Sequence, residues 1–332
     1  MARHAVVLMN LGGPDSPAAV RPFLYNLFSD PAIIGLPVPL RLPLASLIAM
    51  RRNAVATEIY AHLGGASPLL ANTEAQAQAL EAALGADYRC FIAMRYWHPL
   101  TAAAVAAIKA WQPDDIVLLP LYPQFSTTTT GSSLTAWRYE AARQGLDRPT
   151  RAVSNYPIEP GFIAALAGSI DIALATATAP GMPVRLLLSA HGLPLKIVRR
   201  GDPYPQQVEA TAAAVVAALA HPLADWRVCY QSRVGPLAWL GPSVDEEVRR
   251  AGRDRVGIVI APISFVSEHS ETLVELDRDY RRLAEASGVP GYWRASAVGT
   301  DPRFIAGLAR LVRDGSGMPT AESPAAAAEP AR

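Results

Sequence analysis

The chain has 332 residues, 51 % of them apolar, and a formal charge of +1 at pH 7. This length is enough for two domains with full hydrophobic cores. The balanced charge and the lack of basic segments interleaved with aromatic residues argue against a nucleic-acid partner. The two cysteines stand singly in apolar segments, which is typical of small buried residues in a reducing compartment.

The beginning of the chain predicts a strand rather than a signal peptide, because apolar β-type residues start at position 5. No run of about 18 apolar residues is free of breaks, so we expect no membrane-spanning helix. These features predict a cytoplasmic protein.

The longest apolar stretch, residues 33–50, contains Arg41 and three prolines, Pro37, Pro39 and Pro43. The prolines predict that no single helix covers the stretch. Two interpretations stay open. Residues 33–50 could form a core helix preceded by an irregular segment, or an exposed apolar lip that contacts a hydrophobic ligand or a membrane surface. The second predicts a weak peripheral contact with the inner membrane through residues 33–50.

Short apolar runs alternate with amphipathic, Ala-rich segments along the chain. The runs, which are typical of strands covered on both faces, are residues 5–11, 88–95, 115–121, 152–156, 184–190, 226–231, 256–263 and 292–297. Helical patterns cover residues 72–84, 100–111, 160–176, 205–219, 267–286 and 301–313. This order predicts an α/β fold of two Rossmann-like, doubly wound domains, each with a four-stranded parallel sheet, and a cleft between them.

The same pattern predicts the division of the chain. We expect an N-terminal domain over residues 1–160 and a C-terminal domain over 161–300. The helix within 301–314 should pack back on the first domain. Residues 315–332 are rich in Ala, Pro, Gly and Ser and predict a disordered tail. We expect a monomer.

Polar loops marked by Gly or Pro follow six of the predicted strands. They are residues 10–14, 95–99, 121–126, 189–194, 231–236 and 262–271. Ligands of open α/β sheets bind beyond the carboxyl ends of the strands, so this convergence predicts a site at that edge. The turn at Gly12 and Gly13 lacks the spacing of a nucleotide-binding loop and favours close approach of a ligand to the backbone.

Glu271, Glu275 and Asp279 follow one another at steps of four along a predicted helix. Like charges at this spacing repel, so the row is unfavourable in a purely structural helix. Local widening to a π-turn would bring the three acids almost into line, and such bulges often mark functional sites. The row suggests transport of protons or of a hard cation. The alternative is a solvated acidic face balanced by neighbouring arginines.

His191 lies between a buried strand and a Gly-Leu-Pro turn. An imidazole there suits proton uptake or metal ligation, and the alternative is a core histidine bonded to backbone. His269 precedes Glu271 by two positions, so on a helix the two side chains would face different ways, and we expect a supporting hydrogen-bond role for His269. No closed zinc-type spacing is present, so a His–carboxylate pair predicts a metal that is held loosely and passed on.

Seven motifs, in this order, closely resemble the ferrochelatase family, whose members insert ferrous iron into a porphyrin to make haem. They are LGGP (11–14), MRYWHP (94–99), PLYPQ (120–124), SAHGLP (189–194), GDPYP (201–205), YQSRVGP (230–236) and FVSEHSETL (265–273). The resemblance covers roughly residues 5–313 and implies two Rossmann-like domains around a cleft. The chain departs from the family at Ser270, where an apolar residue is usual, and at Ala66 in a Gly-rich turn.

The resemblance implies that His191 and Glu271 flank the porphyrin centre as catalytic and metal-contacting groups. Residues implied in a proton or metal relay are Glu275, Asp279, Glu268 and His269. Residues implied in porphyrin binding are Arg95, Tyr96, Phe265, Met9, Gly12, Gly13, Ser126, Thr130 and Trp239.

The resemblance also implies porphyrin and Fe2+ as substrates and no permanently bound cofactor. The cysteine tail that binds an iron–sulfur cluster in some members is missing, so no such cluster is expected. Three questions stay open: whether His191 mainly takes protons or delivers metal, whether the porphyrin is protoporphyrin or a more carboxylated one, and which protein donates the iron. Rival functions are a cobalt or nickel chelatase, a haem carrier and a nucleotide-sugar transferase.

Overall fold

Two four-stranded parallel sheets with flanking helices form the protein. The computed structural model describes residues 2–177, 182–221, 223–235 and 237–314. The predicted disordered tail, residues 315–332, lies outside the described residues.

The strands of the first sheet are, in chain order, β1 (His4–Asn10), β2 (Tyr88–Met94), β3 (Asp115–Pro120) and β4 (Thr150–Ala152). Those of the second are β5 (Val184–His191), β6 (Trp226–Gln231), β7 (Gly257–Pro262) and β8 (Tyr292–Arg294). The spatial orders are β2-β1-β3-β4 and β6-β5-β7-β8, and every pairing is parallel. The predicted α/β fold with two doubly wound four-stranded sheets is confirmed.

Helices of the first half are α1 (Val20–Phe28), α2 (Val38–Ala61), α3 (Leu69–Leu84), α4 (Thr101–Trp111) and α5 (Ser132–Gln144). Helices of the second half are α6 (Pro160–Ala177), α7 (Leu195–Val198), α8 (Tyr204–Ala217), α9 (Val244–Asp254), α10 (Tyr280–Ala286) and α11 (Pro302–Asp314). A 3-10 turn covers Pro17–Ala19, and two π-helices cover Thr127–Gly131 and Glu271–Asp279. We call the second of these the acidic π-helix.

Strand β4 was predicted over residues 152–156, and that position is wrong. The strand ends at Ala152, and the apolar residues that follow it, Val153 and Tyr156, are buried in the core from a loop. Their apolar character reflects burial beyond the strand, which the sequence pattern does not separate from pairing within it.

The prediction that prolines divide residues 33–50 is also wrong in part. Helix α2 starts after Pro37 and continues unbroken past Pro43. Pro39 lies in the first turn, where a missing N–H costs little, and Pro43 removes one further hydrogen bond from a long helix.

The first turns of α2 carry an exposed apolar face. Val38, Leu40 and Met50 are 52 %, 61 % and 54 % exposed. This exposure agrees with the lip interpretation, and the surface that the lip contacts stays a prediction.

Helix α6 is long and apolar enough to span a membrane by length and composition, although we expected no such segment. Half of its residues are buried inside the protein, and it packs against α8 and α11. We therefore interpret α6 as a core helix.

Helix α11 packs against α6 and also against α3 of the first half. Its residues Phe304 and Leu308 share one apolar cluster with Leu80 of α3. Arg313 donates from Nη2 to the carbonyl oxygen of Ala83 at 2.7 Å. Helix α11 thus fastens the second half to the first.

Buried hydrogen bonds join the two halves where the carboxyl-end loops of the two sheets meet. Gln124, after β3, donates from Nε2 to the carbonyl oxygen of Ile263, after β7, at 3.1 Å. Asp202, between α7 and α8, accepts from Ser126 Oγ at 3.0 Å and from the backbone N–H of Thr127 at 2.8 Å. The predicted ligand edge of each sheet therefore faces the other.

Gln76 of α3 makes a second junction and is fully buried. Its Nε2 donates to the carbonyl oxygens of Val266 and Gly299, both at 2.9 Å, and its Oε1 accepts from Ser267 Oγ at 3.0 Å. One amide thus holds the loop that leads into the acidic π-helix.

We expect Gln76→Leu to lower the free energy of unfolding by about 2–3 kcal/mol, because each buried polar group left without a partner costs about 1–3 kcal/mol. Denaturant unfolding measures this change. The matched control is Gln144→Leu, whose amide bonds to the Ala102 carbonyl oxygen within the first half. A loss in the control as large as in Gln76→Leu would contradict the assigned role.

Candidate active site

The centre of the site is a carboxylate between two imidazoles. His191 ends β5, and Glu271 begins the acidic π-helix that follows β7. His191 Nε2 lies 3.7 Å from Glu271 Oε1, and His269 Nε2 lies 3.8 Å from Glu271 Oε2. The structure thus places the two residues that we expected at the porphyrin centre face to face.

Hydrogen bonds fix His191 at the end of its strand. Its backbone N–H donates to Ser264 Oγ at 3.1 Å, and its carbonyl oxygen accepts from Tyr204 Oη at 3.1 Å. Ring nitrogen Nδ1 lies 2.6 Å from the carbonyl oxygen of Gly192. Because a carbonyl oxygen only accepts, Nδ1 carries a proton and Nε2 is the nitrogen that faces Glu271. The side chain is 42 % exposed, so a bound molecule can reach Nε2.

Gly192 allows this close packing behind the histidine. A Cβ at this position would lie 2.8 Å from the carbonyl oxygen of Gln231 and 3.3 Å from the Trp239 ring. The glycine of the SAHGLP motif is therefore required by contact with β6 and the loop that follows it.

Glu271 stays ionised inside the site. Burial alone would raise its pKa, but the His191 and His269 rings outweigh burial and lower the pKa to about 2. Among the described residues, its buried Oε2 has no hydrogen-bond partner, since His269 is too distant for a full hydrogen bond. A charged, under-satisfied oxygen is suited to attract a cation or a proton.

The acidic π-helix carries the row of acids from the interior towards solvent. Glu275 accepts hydrogen bonds from the Ser232 N–H at 2.8 Å, from Ser232 Oγ at 2.5 Å and from Gln231 Nε2 at 3.1 Å. Burial raises the pKa of Glu275, and the charge of Glu271 raises it further. Asp279 is exposed. The pKa values of the first two acids are therefore shifted in opposite directions, and the third acid is in contact with water.

Ser232 reaches Glu275 from a strained backbone. Its φ is +60°, which is uncommon for a residue with a Cβ and is often found at functional sites. The left-handed turn after β6 aims both the N–H and the hydroxyl of Ser232 at the same carboxyl group. Sequence reasoning did not assign Ser232, although it lies in the YQSRVGP motif.

His269 does not face away from Glu271, so that prediction is wrong. The helix starts at residue 270, and His269 still belongs to the preceding loop, where its ring can turn towards the acid. Burial lowers the pKa of His269, but the interaction with Glu271 outweighs this and raises it. His269 Nδ1 lies 3.1 Å from the Ser267 carbonyl oxygen. The ring therefore packs as a partner of Glu271.

Glu268 points to a different partner. Its carboxylate accepts from Arg294 Nη1 at 2.9 Å and from the Ala297 N–H at 2.9 Å. Burial raises the pKa of Glu268, yet the Arg294 charge outweighs it and the net pKa is lowered. This ion pair anchors the loop before the acidic π-helix, and a relay role for Glu268 stays a prediction.

In the parts of the chain that the structure describes, no three His, Cys, Asp or Glu side chains form a closed metal site. A cavity of about 540 Å³ lies on the far side of the acidic π-helix, against Asp277 and Arg294, and is separate from the His191–Glu271 pair.

A model of the ferrochelatase family matches residues 3–316. The ferrochelatase of Caulobacter vibrioides is 58 % identical over 318 residues, covering 94 % of this chain and 90 % of that protein. The ferrochelatase of Phenylobacterium zucineum is 56 % identical over 310 residues, covering 92 % of this chain and 89 % of that protein. The chain belongs to the ferrochelatase family.

Solved chelatase structures share the fold at low identity. SirB from Bacillus subtilis with Fe3+ has a TM-score of 0.54 and 13 % identity, covering 94 % of this chain and 95 % of that chain. CbiX, the terminal enzyme of siroheme biosynthesis in denitrifying bacteria, has a TM-score of 0.52 and 15 % identity, covering 94 % and 99 %. These likenesses support the two-sheet architecture.

Ser270, where the resemblance implies an apolar residue, lies near Tyr60 of α2 and influences its pKa. Burial raises the pKa of Tyr60 to about 12, and the charge of Glu271 contributes to the rise. Helix α2 of the first half thus lies close to the start of the acidic π-helix.

Two of the ferrochelatase ring-contact candidates border the histidine directly. The Phe265 ring is 6.5 Å from the His191 ring and 4.7 Å from the His269 ring, centre to centre. Trp239 pairs with Pro194 in an isolated bridge, and its indole Nε1 has no partner among the described residues. Both side chains are partly exposed.

Other candidates lie deeper than expected. Met9 and Tyr96 are 1 % and 0 % exposed, so neither side chain has surface accessible to a ring in this structure. Ser126 is buried, and its hydroxyl donates a hydrogen bond to Asp202. Thr130 is buried, and its Oγ1 has no partner among the described residues. These positions build the wall behind the ligand edge.

The two glycines of the LGGP motif serve close contacts. Gly12 has φ +84°, and Gly13 packs so tightly that a Cβ would lie 2.4 Å from Ser67 Oγ. Both observations fit the expectation of a turn that lets other groups approach the backbone.

Asp30 is a site residue that sequence reasoning missed. It follows α1, is buried, and accepts from Arg95 Nη2 at 2.7 Å, from Tyr96 Oη at 2.8 Å and also from Ser132 Oγ. Arg95 also donates from Nε to Ser132 Oγ at 2.7 Å. Asp30 thus orients the arginine that we expected to bind a ligand carboxylate. An Asp before a Pro predicts a turn, so this role has no signal in the sequence.

We expect Asp30→Ala to lower the free energy of unfolding by about 3–5 kcal/mol, because it leaves the Arg95 guanidinium without its buried counter-charge. Denaturant unfolding followed by circular dichroism measures this loss. The control is Asp87→Ala, an exposed aspartate, for which a change within about 0.5 kcal/mol is expected. Equal stability of the two variants would show that Asp30 is dispensable.

Glu271→Gln should lower the pKa of His269 below its ordinary value of 6.5. Burial lowers this pKa, and the variant removes the negative charge that most strongly raises it. An NMR titration of the imidazole protons measures this shift. Glu285→Gln, an exposed change on α10, serves as control and should leave the titration unaltered. An unchanged pKa in Glu271→Gln would rule out the coupling between the two side chains.

The same variant has a pH-dependent stability. Glu271, whose pKa is lowered from 4.5 to about 2, contributes stability above pH 4.5 that is lost as the pH falls through 2. His269, whose pKa is raised, contributes stability below pH 6.5 that is lost as the pH rises through its folded pKa. The stability advantage of the wild type over Glu271→Gln should therefore be greatest between pH 4.5 and 6.5.

Proposed function

We propose that this protein inserts ferrous iron into a porphyrin, with protoporphyrin IX as the substrate, to form haem. The observation that carries the proposal is the ionised Glu271 held between His191 and His269 at the shared ligand edge of the two sheets. Membership of the ferrochelatase family supports the same reaction.

Metallation replaces two pyrrole N–H protons with one divalent ion. A flat ring resists this exchange, because its central hydrogens block the metal and its lone pairs stay in the plane. Holding the ring bent exposes the lone pairs and directs binding energy towards the transition state.

His191 is the group that accepts the pyrrole protons. Its side chain is partly exposed, and its Nε2 lies 3.7 Å from a carboxylate that stabilises the imidazolium formed by proton uptake. The unsatisfied oxygen of Glu271 is a hard ligand on the same side, where it can contact the incoming Fe2+ substrate. Delivery of metal by His191 is the alternative order of events.

In this proposal Glu275 passes protons onward, a role that its raised pKa and its position on the acidic π-helix support. In this proposal Phe265 and Trp239 contact the porphyrin, which their partial exposure supports. Arg95 is a candidate donor for a porphyrin carboxylate, because its charged side chain is partly exposed.

We further propose a monomer without a resident cofactor, located in the cytoplasm. The exposed Val38, Leu40 and Met50 support a weak peripheral contact of α2 with the inner membrane. Vesicle co-sedimentation of the wild type and of Leu40→Glu tests this contact, and equal binding would argue against it.

We expect His191→Ala to lower the rate of metal insertion by about 10²-fold or more, because a positioned general base contributes at least this factor. Porphyrin binding, followed by fluorescence quenching, should change little. Insertion of ferrous iron or zinc is followed by absorbance. The control is His221→Ala, an exposed histidine.

Near-normal turnover of His191→Ala would refute the role of this histidine. The same assay with cobalt and nickel, and with more carboxylated porphyrins, identifies the preferred pair of substrates. Tight haem binding by a wild type that metallates no porphyrin would indicate a carrier and overturn the proposed function.

A further inference from the structure

Tyr280 links the acidic row to a second element of the fold. It follows the acidic π-helix directly and is almost fully buried. Its Oη lies 3.3 Å from Glu275 Oε1 and 3.3 Å from Asp245 Oδ2 on α9. Asp245 is 47 % exposed, so the phenol stands between the partly buried carboxyl group of Glu275 and one in contact with water.

We propose that protons taken from the porphyrin leave Glu275 through the Tyr280 hydroxyl to Asp245 and reach solvent at α9, rather than along the helix to Asp279. This inference rests on the proposed function and names the exit that the reaction uses.

The hydrogen bonds around Tyr280 favour such a transfer. Two carboxyl groups converge on a phenol that has a single proton to donate. The arrangement is fully bonded only when one carboxyl group carries a proton of its own. Because Ser232 and Gln231 already donate to Glu275, the Tyr280 proton is available to Asp245.

The transfer balances in bonds and charge. The O–H bond of protonated Glu275 breaks as its proton moves to Tyr280 Oη, and the former phenolic proton moves to the Asp245 carboxylate. Tyr280 stays neutral, Glu275 regains its negative charge, and Asp245 releases its proton to water. No oxidant, reductant or further reactant takes part.

The groups that face this exit suit its direction. Glu275, Asp245 and the Cys229 thiol surround the Tyr280 hydroxyl, and burial raises its pKa well above the ordinary value. Arg249 Nη1 lies 3.9 Å from Asp245 Oδ1, so a cation stands beside the exposed end of the route. The Tyr280 hydroxyl therefore passes a proton on while it stays neutral, and it does not ionise.

The competing route along the acidic π-helix lacks a comparable link. In the parts of the chain that the structure describes, no hydrogen bond joins Glu275 to Asp279, although both lie on one row. A proton on Glu275 therefore has a bonded neighbour in Tyr280 and none in Asp279.

The test compares four variants of the full chain in zinc insertion: Tyr280→Phe, Asp245→Asn, Asp279→Asn and Tyr292→Phe. Tyr292→Phe is the matched control, because its hydroxyl is also buried against the acidic π-helix but donates to the Leu276 carbonyl oxygen at 2.6 Å. The measurements are kcat, porphyrin binding, proton release with an indicator dye in a single turnover, and rescue by added imidazole.

We expect Tyr280→Phe and Asp245→Asn to slow proton release and kcat by about tenfold, with porphyrin binding unchanged, because a positioned proton acceptor is lost. Added imidazole should restore part of the rate by carrying the proton instead. Asp279→Asn and Tyr292→Phe should stay within about twofold of the wild type.

Slow turnover of Asp279→Asn beside normal turnover of Tyr280→Phe would overturn the proposal in favour of the helical route. A slow Tyr280→Phe that imidazole does not rescue would assign the hydroxyl a structural role only, which also overturns it. Failure of the proposed function is distinguishable, because the wild type would then insert no metal at all.

Discussion

The buried negative charge of Glu271 is the constraint on which the site depends. An ionised carboxylate in a protein interior is unfavourable unless opposite charges or hydrogen bonds compensate it. Here His191 from the end of β5 and His269 from the loop after β7 provide that compensation on two sides. The compensation works only if both loops and the first turn of the acidic π-helix hold their positions, so the fold around the site is coupled to one charge.

The negative charge of Glu271 also gives the two neighbouring glutamates different roles. Two carboxyl groups one π-turn apart do not both ionise without repulsion, and the environment decides which one does. The histidines hold Glu271 in its charged form, while burial and that charge favour the protonated form of Glu275. One acid is thereby suited to meet a cation and the other to carry a proton. Two identical side chains, Glu271 and Glu275, thus have different roles because their surroundings differ.

The sequence predicted the sheets well, because parallel strands buried on both faces leave continuous apolar runs. It failed where burial and secondary structure separate, as at Val153 and Tyr156, and where a long helix tolerates Pro43. The orientation of His269 depended on the residue at which the helix begins, which a periodic pattern does not fix. The role of Asp30 could not be predicted, because its partner Ser132 lies 102 positions away in the sequence and only the folded chain brings them together.

Buried hydrogen bonds far from His191 affect the chemistry because they make the walls of the site rigid. A ring is bent only by walls that yield less than the ring does, and flexible walls would lose that binding energy. Gln76 and Asp202 join the two halves through buried hydrogen bonds, and Asp30 fixes Arg95 behind the ligand edge. Such fully satisfied networks are costly to distort, because any displacement leaves a buried group without its partner. The rigidity that a bent tetrapyrrole requires thus comes from residues that need not touch it.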